Sequence, residues 1–153
     1  MSRRDQIKLS DEEVAQFLAD QRVVICATNG IRGWPHLMPL WYVIRDAEIW
    51  SWTYAKSQKV RNLERDPRAT LQVEDGEEYQ ELRGVMIEAE TLVHRDVELV
   101  TKFGLELFAR YGSEVAGPEF EQAVRAQAAK RVALQFRTQL LTSWDHRKLG
   151  GVY

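Results

Sequence analysis

The stretch that decides the fold is residues 49–68, IWSWTYAKSQKVRNLERDPR. Its first five residues, IWSWT, are β-branched or aromatic apart from one serine, which predicts a strand. Val60 and Leu63 then form an apolar pair at helical spacing, and Pro67 ends the predicted helix. Ser57 lies at the N-cap position of that helix. The stretch is therefore predicted to form a strand, a turn and a short helix.

Positive charge is concentrated around this short helix, on Lys56, Lys59, Arg61, Arg65 and Arg68. A helix N-terminus carries unpaired N–H groups and a partial positive charge, so it favours an anion. An aromatic strand that leads into such a helix can hold a flat ring and a phosphate together, and this is our main hypothesis. The alternative is an ordinary capped helix with a solvated basic face, because motifs of this kind often occur by chance.

Five tryptophans are a second feature of the sequence: Trp34, Trp41, Trp50, Trp52 and Trp144. Trp50 and Trp52 share one face of their strand by the two-residue repeat. They form either the walls of a site for a flat heteroaromatic ligand or packing in a core or subunit contact. The sequence leaves both interpretations open.

Length and composition indicate one folded domain spanning residues 1–153, with 44% hydrophobic and 29% charged residues. A net charge of −2 argues against a nucleic-acid binder, so the basic helix indicates a small anionic ligand. No apolar run approaches the roughly 18 residues of a membrane span, and residues 1–13 lack a signal-peptide core. The single Cys26 excludes an intrachain disulfide, fits a cytoplasmic protein and is predicted to be a buried apolar residue.

The remaining elements are mostly strands. A capping box at Ser10 begins a helix that ends near Asp20. Pro39 indicates an edge, a bulge or a ligand-facing break in its strand, and Gly84 predicts a bulge or barrel corner. Short turns between six strands predict a mainly β protein, a small antiparallel barrel with helical insertions. The predicted strands are 22–28, 35–44, 49–53, 69–74, 79–94 and 131–144, the last kinked at 137–138, and two further helices are predicted at 96–111 and 119–129.

Motifs for other chemistries are missing from the sequence. It contains no glycine-rich dinucleotide fingerprint, no Walker loop and no CxxC pair. His36, His94 and His146 occur singly, so we predict no metal site. No side chain is assigned a catalytic role, although His146 and its neighbour Trp144 lie in a tail that is either exposed or closes over a neighbouring subunit's pocket.

Four segments, in this order, resemble the pyridoxamine-phosphate-oxidase-like split β-barrels that bind flavins and deazaflavins. They are the first helix with RVVICAT, the hairpin GWPHL at 33–37, SQKVRNLERDPRATL at 57–71, and the strand near Gly84 with SWDHRKLGG at 143–151. The third is the most specific, and together they cover nearly the whole chain. The resemblance implies a six-stranded antiparallel split β-barrel with peripheral helices, and a homodimer with two cofactor sites at the subunit interface.

The same resemblance implies a set of cofactor-binding positions. The backbone of residues 38–42 would line the ring system, two residues of the third strand would contact the cofactor, the start of the short helix would bind phosphate, and three positions would come from the other subunit. In that order the residues are Met38, Pro39, Leu40, Trp41 and Tyr42; Trp52 and Thr53; Ser57, Gln58 and Lys59, followed by Arg61 and Asn62; and Tyr79, Trp144 and His146.

Two departures distinguish this chain from true pyridoxamine-phosphate oxidases. Those enzymes carry an arginine where this chain has Met38 or Pro39, and a C-terminal Arg-x-His where it has Asp145, His146 and Arg147. The departures argue against oxidation of vitamin B6.

The motif KVRNLERDPR resembles the branch that uses coenzyme F420, with FMN as the alternative cofactor. The resemblance then implies hydride transfer between the deazaflavin and an unsaturated or planar small molecule. Two other hypotheses remain open: a non-catalytic flavin- or haem-binding dimer, and a structural dimer whose tryptophans only pack.

Overall fold

The computed structural model describes residues 2–112 and 114–151 of the chain. In this part of the chain the strands are β1 Val24–Asn29, β2 Pro35–Leu40, β3 Val43–Arg45, β4 Glu48–Tyr54, β5 Arg68–Asp75, β6 Arg83–His94 and β7 Arg131–Asp145. The α-helices are α1 Arg3–Gln6, α2 Asp11–Asp20, α3 Gln58–Arg65, α4 Val97–Arg110 and α5 Pro118–Ala128, with short 3₁₀ turns at Tyr79–Glu81 and His146–Leu149.

The strands form one antiparallel sheet in the order β2-β1-β5-β6-β7-β4-β3. β2 and β3 lie at opposite edges, although only Trp41 and Tyr42 separate them in the chain. The sheet is therefore curled, so that its two edges approach each other at this link. The predicted mainly β split barrel is confirmed.

The predicted strand count of six was wrong, because the described residues form seven. The expected strand at 35–44 is two strands: the chain pairs with β1 as far as Leu40, crosses to the other edge of the sheet, and pairs with β4 from Val43. The predicted edge position of Pro39 is confirmed, since β2 pairs only with β1.

The main core lies inside the curl, where alternate residues of the strands are buried. α2 contributes Phe17 and Leu18 to this core, and α3 contributes Val60 and Leu63. Cys26 is buried there as a free thiol, as predicted. The opposite face of β4 and β7 is covered by α4 and α5, which form a second cluster around Phe103.

The link between the two sheet edges is held by Tyr42 and Arg110. Tyr42 is fully buried, and its hydroxyl donates to the carbonyl of Leu18 at 2.6 Å. The Arg110 guanidinium lies 4.4 Å from the Tyr42 ring centroid and donates to the Tyr42 carbonyl. It also donates to the carbonyls of Leu18, Ala19 and Gln21 at the end of α2, where a cation complements the helix dipole.

Several local predictions are confirmed. Ser10 and Glu13 form the predicted capping box, and α2 ends at Asp20. The chain turns between β1 and β2 at Gly30, as expected for a hairpin. No helix within the described residues is long and apolar enough to cross a membrane.

Two details predicted around β6 were wrong. Tyr79–Glu81 is a 3₁₀ turn, so the strand begins at Arg83 rather than at Tyr79. Gly84 does not form the bulge that was one alternative of its prediction, and the other, a barrel corner, stays a prediction. A Cβ at this position would lie 2.4 Å from Cζ2 of Trp144, so glycine is required for close packing. The register shift instead lies between Glu88 and Ala89, opposite an extra residue in β7 next to the predicted kink at 137–138.

Candidate functional site

The start of α3 carries polar groups without hydrogen-bond partners in the described residues. Ser57 has the extended backbone of an N-cap, but its side chain makes no capping hydrogen bond. Its Oγ is buried and has no hydrogen-bond partner. The first backbone N–H groups of a helix also lack intrahelical acceptors. The N-terminal end of α3 therefore carries several donors that no residue in the described part of the chain satisfies.

Lys59 adds a buried positive charge to this helix start. Only 6% of Lys59 is exposed, and its Nζ donates to Thr53 Oγ1 at 2.9 Å. No carboxylate in the described part of the chain forms a salt bridge with it. Burial lowers the pKa of the Lys59 ammonium, and the nearby Cys26 thiol acts weakly in the opposite direction. A buried cation without a counter-charge is costly, so this arrangement suits a negatively charged ligand.

Cys26 lies near this ammonium but is not a nucleophile. Burial raises the pKa of its thiol to about 12, with Lys59 opposing that shift. The thiolate is the reactive form of cysteine, so Cys26 stays inert at neutral pH. The residue acts as an apolar surface inside the curl.

A chain of buried side chains connects α3 to β1. Asn62 is fully buried, and its Nδ2 donates to Thr28 Oγ1 at 3.0 Å. Its Oδ1 accepts from Gln58 Nε2 at 2.8 Å and from Arg65 Nη2 at 3.4 Å. Arg65 Nη2 also donates to the Asn29 carbonyl at 2.5 Å. These bonds fix α3 against the strand beside it.

A cavity of about 250 Å³ lies between the start of α3 and the β1–β2 hairpin. Trp34, His36, Gln58 and Asn62 contribute to its lining. Trp34 is 75% exposed, whereas Nδ1 of His36 is buried and has no hydrogen-bond partner. The cavity lining therefore includes an exposed aromatic ring and a histidine.

The edge strand β2 supplies a second wall next to α3. Met38 pairs with Cys26 across the β1–β2 ladder, so both side chains lie on the same face of the sheet. Met38 is 41% exposed because β2 has no strand on its other side. We call the region between β2 and the start of α3, which includes the cavity beside Gln58 and Asn62, the cleft.

The structure brings some predicted site residues together at this cleft and places others elsewhere. Those at the cleft or its support are Met38, Leu40, Thr53, Ser57, Gln58, Lys59 and Asn62. Arg61 is exposed on α3. Pro39 lies on the outer face of β2, because it pairs with Ile25 rather than with Cys26.

The placement of Trp52 and Trp50 favours packing over ligand binding. They share a face of β4, as predicted, but it is the face opposite Ser51 and Thr53. The Trp52 ring contacts Phe108 edge-on at 5.9 Å between centroids, and a Cβ on Gly104 would lie 2.6 Å from it. The Trp52 side chain thus packs on the face of β4 away from Thr53, and the cofactor contact expected of Trp52 stays a prediction.

Tyr42 has a structural role in the chain, and its expected place along the cofactor ring stays a prediction. Its side chain is fully buried, its backbone N–H donates to the Tyr111 hydroxyl, and its carbonyl accepts from Arg110. Trp41 remains half exposed, with its ring stacked on Tyr111 at 4.2 Å. Its carbonyl accepts from Ser51 Oγ at 2.6 Å, so its backbone is already bonded.

Tyr79, Trp144 and His146 lie at the far end of the sheet from α3. His146 Nδ1 lies 2.8 Å from the Tyr79 carbonyl, and their rings are 4.8 Å apart. Trp144 pairs with Gly84 near the end of β5, whereas α3 leads into the start of β5. Within one chain these three residues therefore lie far from Lys59. A contact between them and the cleft would require a second chain.

Sequence reasoning missed two contributors to the site. Thr28 receives the Asn62 hydrogen bond, and His36 lines the cavity. Thr28 follows Cys26 at a spacing of two residues in a buried strand, which places both on one face. That spacing is the signal by which Thr28 could have been found.

Comparison with known proteins agrees with this geometry. A family model described as pyridoxamine 5'-phosphate oxidase matches residues 10–145. The solved structure of a conserved hypothetical protein, Rv2991 from Mycobacterium tuberculosis, is 38% identical, with a TM-score of 0.89 over 100% of this chain and 95% of that chain. No curated protein matches the chain.

Two more distant structures show the same fold. An F420 reductase is 21% identical, with a TM-score of 0.68 over 87% of this chain and 98% of that chain. The haem storage protein HutZ from Vibrio cholerae is 17% identical, with a TM-score of 0.68 over 87% of this chain and 94% of that chain. Because the family model spans most of the sequence and the curled sheet is shared, the chain belongs to the pyridoxamine 5'-phosphate oxidase family of split β-barrels.

Proposed function

We propose that this protein is an F420-dependent oxidoreductase, which transfers a hydride between the deazaflavin and an unsaturated or planar small molecule. FMN is the alternative cofactor. The observation that carries the proposal is Lys59, a buried ammonium next to the unsatisfied donors of α3. Within the described residues it has one hydroxyl partner and no carboxylate partner. An F420 reductase and a FAD-binding protein from Mesorhizobium loti share the fold, which supports a cofactor of this kind.

The donors at the start of α3 fit the phosphate arm of such a cofactor. Lys59 Nζ would make a charge-assisted contact, and Ser57 Oγ and the first N–H groups of α3 would supply neutral hydrogen bonds. The β2 edge around Met38 would lie along the ring. The cofactor supplies the hydride chemistry, while these residues bind it, orient it and exclude water.

A second copy of the chain would complete the site. Ile25, Leu37, Pro39 and Met86 line a shallow apolar cavity of about 380 Å³ on the outer face of the sheet. Exposed apolar surface of this kind marks contact surfaces. Trp144 shares this outer face of the sheet, because it alternates with the buried Ser143 and Asp145. A homodimer through this face would bring the far-end residues of one chain towards the cleft of the other.

In that dimer, His146 would present a defined ring atom. Its Nδ1 faces the Tyr79 carbonyl, and a carbonyl only accepts, so Nδ1 carries the proton in the neutral ring. Nε2 is then an acceptor when the ring is neutral and a donor when it is protonated. His146 is our candidate for proton delivery to the acceptor molecule.

Parallel titrations with F420 and FMN test the proposed function. Trp34 lines the cavity beside α3 and Trp41 follows β2, so a bound chromophore should quench tryptophan fluorescence. We expect saturable quenching at micromolar concentration, tighter with F420. Absence of binding for both compounds, checked by equilibrium dialysis, would refute the proposal. A bound cofactor with no turnover of any planar acceptor would instead favour a non-catalytic binding protein.

Sedimentation equilibrium tests the proposed dimer. We expect a dimer for the unmodified protein and a monomer for Met86→Asp, which places a charge in the apolar outer face. Val115→Asp is the matched control, because Val115 is 62% exposed on a loop away from the sheet. A monomeric unmodified protein would refute the shared site.

A further inference from the structure

Arg65 determines which way the Asn62 amide points. A guanidinium donates hydrogen bonds and cannot accept them. Arg65 Nη2, anchored at the Asn29 carbonyl, also faces the Asn62 side chain at 3.4 Å. The atom of Asn62 that faces it must therefore be the oxygen. The Asn62 nitrogen then faces Thr28 Oγ1, which can accept its proton at 3.0 Å.

Asn62 in turn determines the orientation of Gln58. The same Asn62 Oδ1 is 2.8 Å from the Gln58 amide, so the nitrogen of Gln58 must face it. The carbonyl oxygen of Gln58 is then the free end of the amide, and no residue in the described part of the chain donates to it. Gln58 lines the cavity beside the hairpin, so the cavity meets an acceptor.

This acceptor is a poor partner for phosphate. A phosphate oxygen would face the Gln58 carbonyl oxygen without a proton between them, whereas a hydroxyl would donate to it. His36 lines the same cavity, and its buried Nδ1 has no hydrogen-bond partner in the described part of the chain. The phosphate is better placed at Lys59, inside the curl. At the start of α3, Lys59 therefore favours a phosphate, whereas the Gln58 carbonyl oxygen favours a hydroxyl group.

We propose that the cavity formed by Trp34, His36 and Gln58 takes hydroxyl groups of the ligand's sugar-alcohol chain, and that Asn62 is a positioning residue which sets this preference through Gln58. The proposal rests on the proposed function, because it assumes a ligand with a phosphate at Lys59. It assigns Asn62 an indirect role, through Gln58, in place of the direct cofactor contact that the family resemblance implied.

A matched pair of ligands isolates the hydroxyl groups. One is FMN, and the other is an FMN analogue in which a 5-phosphopentyl chain replaces the ribityl phosphate, so that ring and phosphate stay the same. The corresponding pair on the deazaflavin ring is run in parallel. We expect the unmodified protein to bind the hydroxylated ligand at least about tenfold more tightly than the analogue.

Three variants then separate positioning from general stability. Asn62→Leu removes the acceptor that holds Gln58, and should reduce the affinity ratio to within about twofold without changing the affinity for the analogue. Asn62→Asp keeps an acceptor for Gln58 and Arg65, and should preserve the ratio. Gln58→Ala alters an exposed residue, so it tests the acceptor even if Asn62→Leu does not fold.

The outcomes distinguish this inference from the proposed function. A ratio that Gln58→Ala or a folded Asn62→Leu leaves unchanged would overturn the inference while the function stands. Equal losses for both ligands would show a purely structural role for Asn62 and would also overturn it. Failure of the unmodified protein to bind any of the four ligands would overturn the proposed function together with the inference.

Discussion

Replacing Lys59 with methionine separates the effect of its charge on binding from its effect on stability. The structure gives this ammonium one partner, Thr53 Oγ1 at 2.9 Å, and no carboxylate in the described chain. A hydrogen bond to a charged group contributes about 1.5–3 kcal/mol. We therefore expect the dissociation constant for the phosphate-bearing cofactor to rise by roughly 10- to 150-fold.

The ligand-free protein should respond in the opposite way. Methionine has a similar length and removes the cost of burying a charge, while Thr53 loses one hydrogen bond. We expect the free energy of unfolding to stay constant or to rise by up to about 1 kcal/mol. Burial lowers the pKa of Lys59 below its usual 10.5 in the folded state only, so the unfolded chain binds more protons. The stability of the unmodified protein should therefore rise with pH towards 10.5, and the variant should lack this contribution.

Fluorescence titration and urea unfolding at several pH values measure both effects. Lys56→Met is the matched control, because Lys56 is an exposed lysine directly before the N-cap of α3. The control should bind the cofactor within about twofold of the unmodified protein. An unchanged dissociation constant in Lys59→Met would refute the phosphate role. A loss of more than about 1 kcal/mol in the ligand-free state would refute the claim that the charge is a cost.

Three further changes test the fold around the site. Ala47 has a φ of 61° in the β3–β4 turn, so Ala47→Gly should stabilise the protein by about 0.5–1 kcal/mol in urea unfolding. Gly104→Ala should destabilise it by about 1–3 kcal/mol, because the new Cβ would lie 2.6 Å from the Trp52 ring, yet cofactor affinity should not change. A hydrogen bond from Arg147 lowers the pKa of Asp145 below 3.8 in the folded state. The ionised Asp145 therefore stabilises the folded state, and this contribution is lost as the pH falls through the folded pKa. In Asp145→Asn, the free energy of unfolding followed by circular dichroism should fall less steeply at acidic pH.

Local signals in the sequence predicted the elements that local chemistry decides. The capping box at Ser10 and the stop at Pro67 both lie where the structure places a helix boundary. The sequence predicted one strand at 35–44 where the structure has two, because Trp41 and Tyr42 also have high β-propensity. Only the pairing partners, which are distant in sequence, show that the chain changes edges there.

The candidate site was predictable in its charges and not in its geometry. Clustered basic residues pointed to α3, but no local pattern shows that Lys59 is buried without a carboxylate. The period of a strand shows that Trp50 and Trp52 share a face. It does not show which face, because both sides of β4 are covered. The link from Asn62 to Thr28 spans 34 positions, so it depends on the packing of α3 against β1.

The two-residue crossing between β2 and β3 limits how a ligand can enter the cleft. At that end the polypeptide itself connects the two walls, and Arg110 clamps the crossing through Tyr42. The walls cannot swing apart like domains on a hinge without breaking these contacts. The covalent chain therefore fixes the separation of the two walls at that end, and we expect this separation to stay the same when a ligand binds.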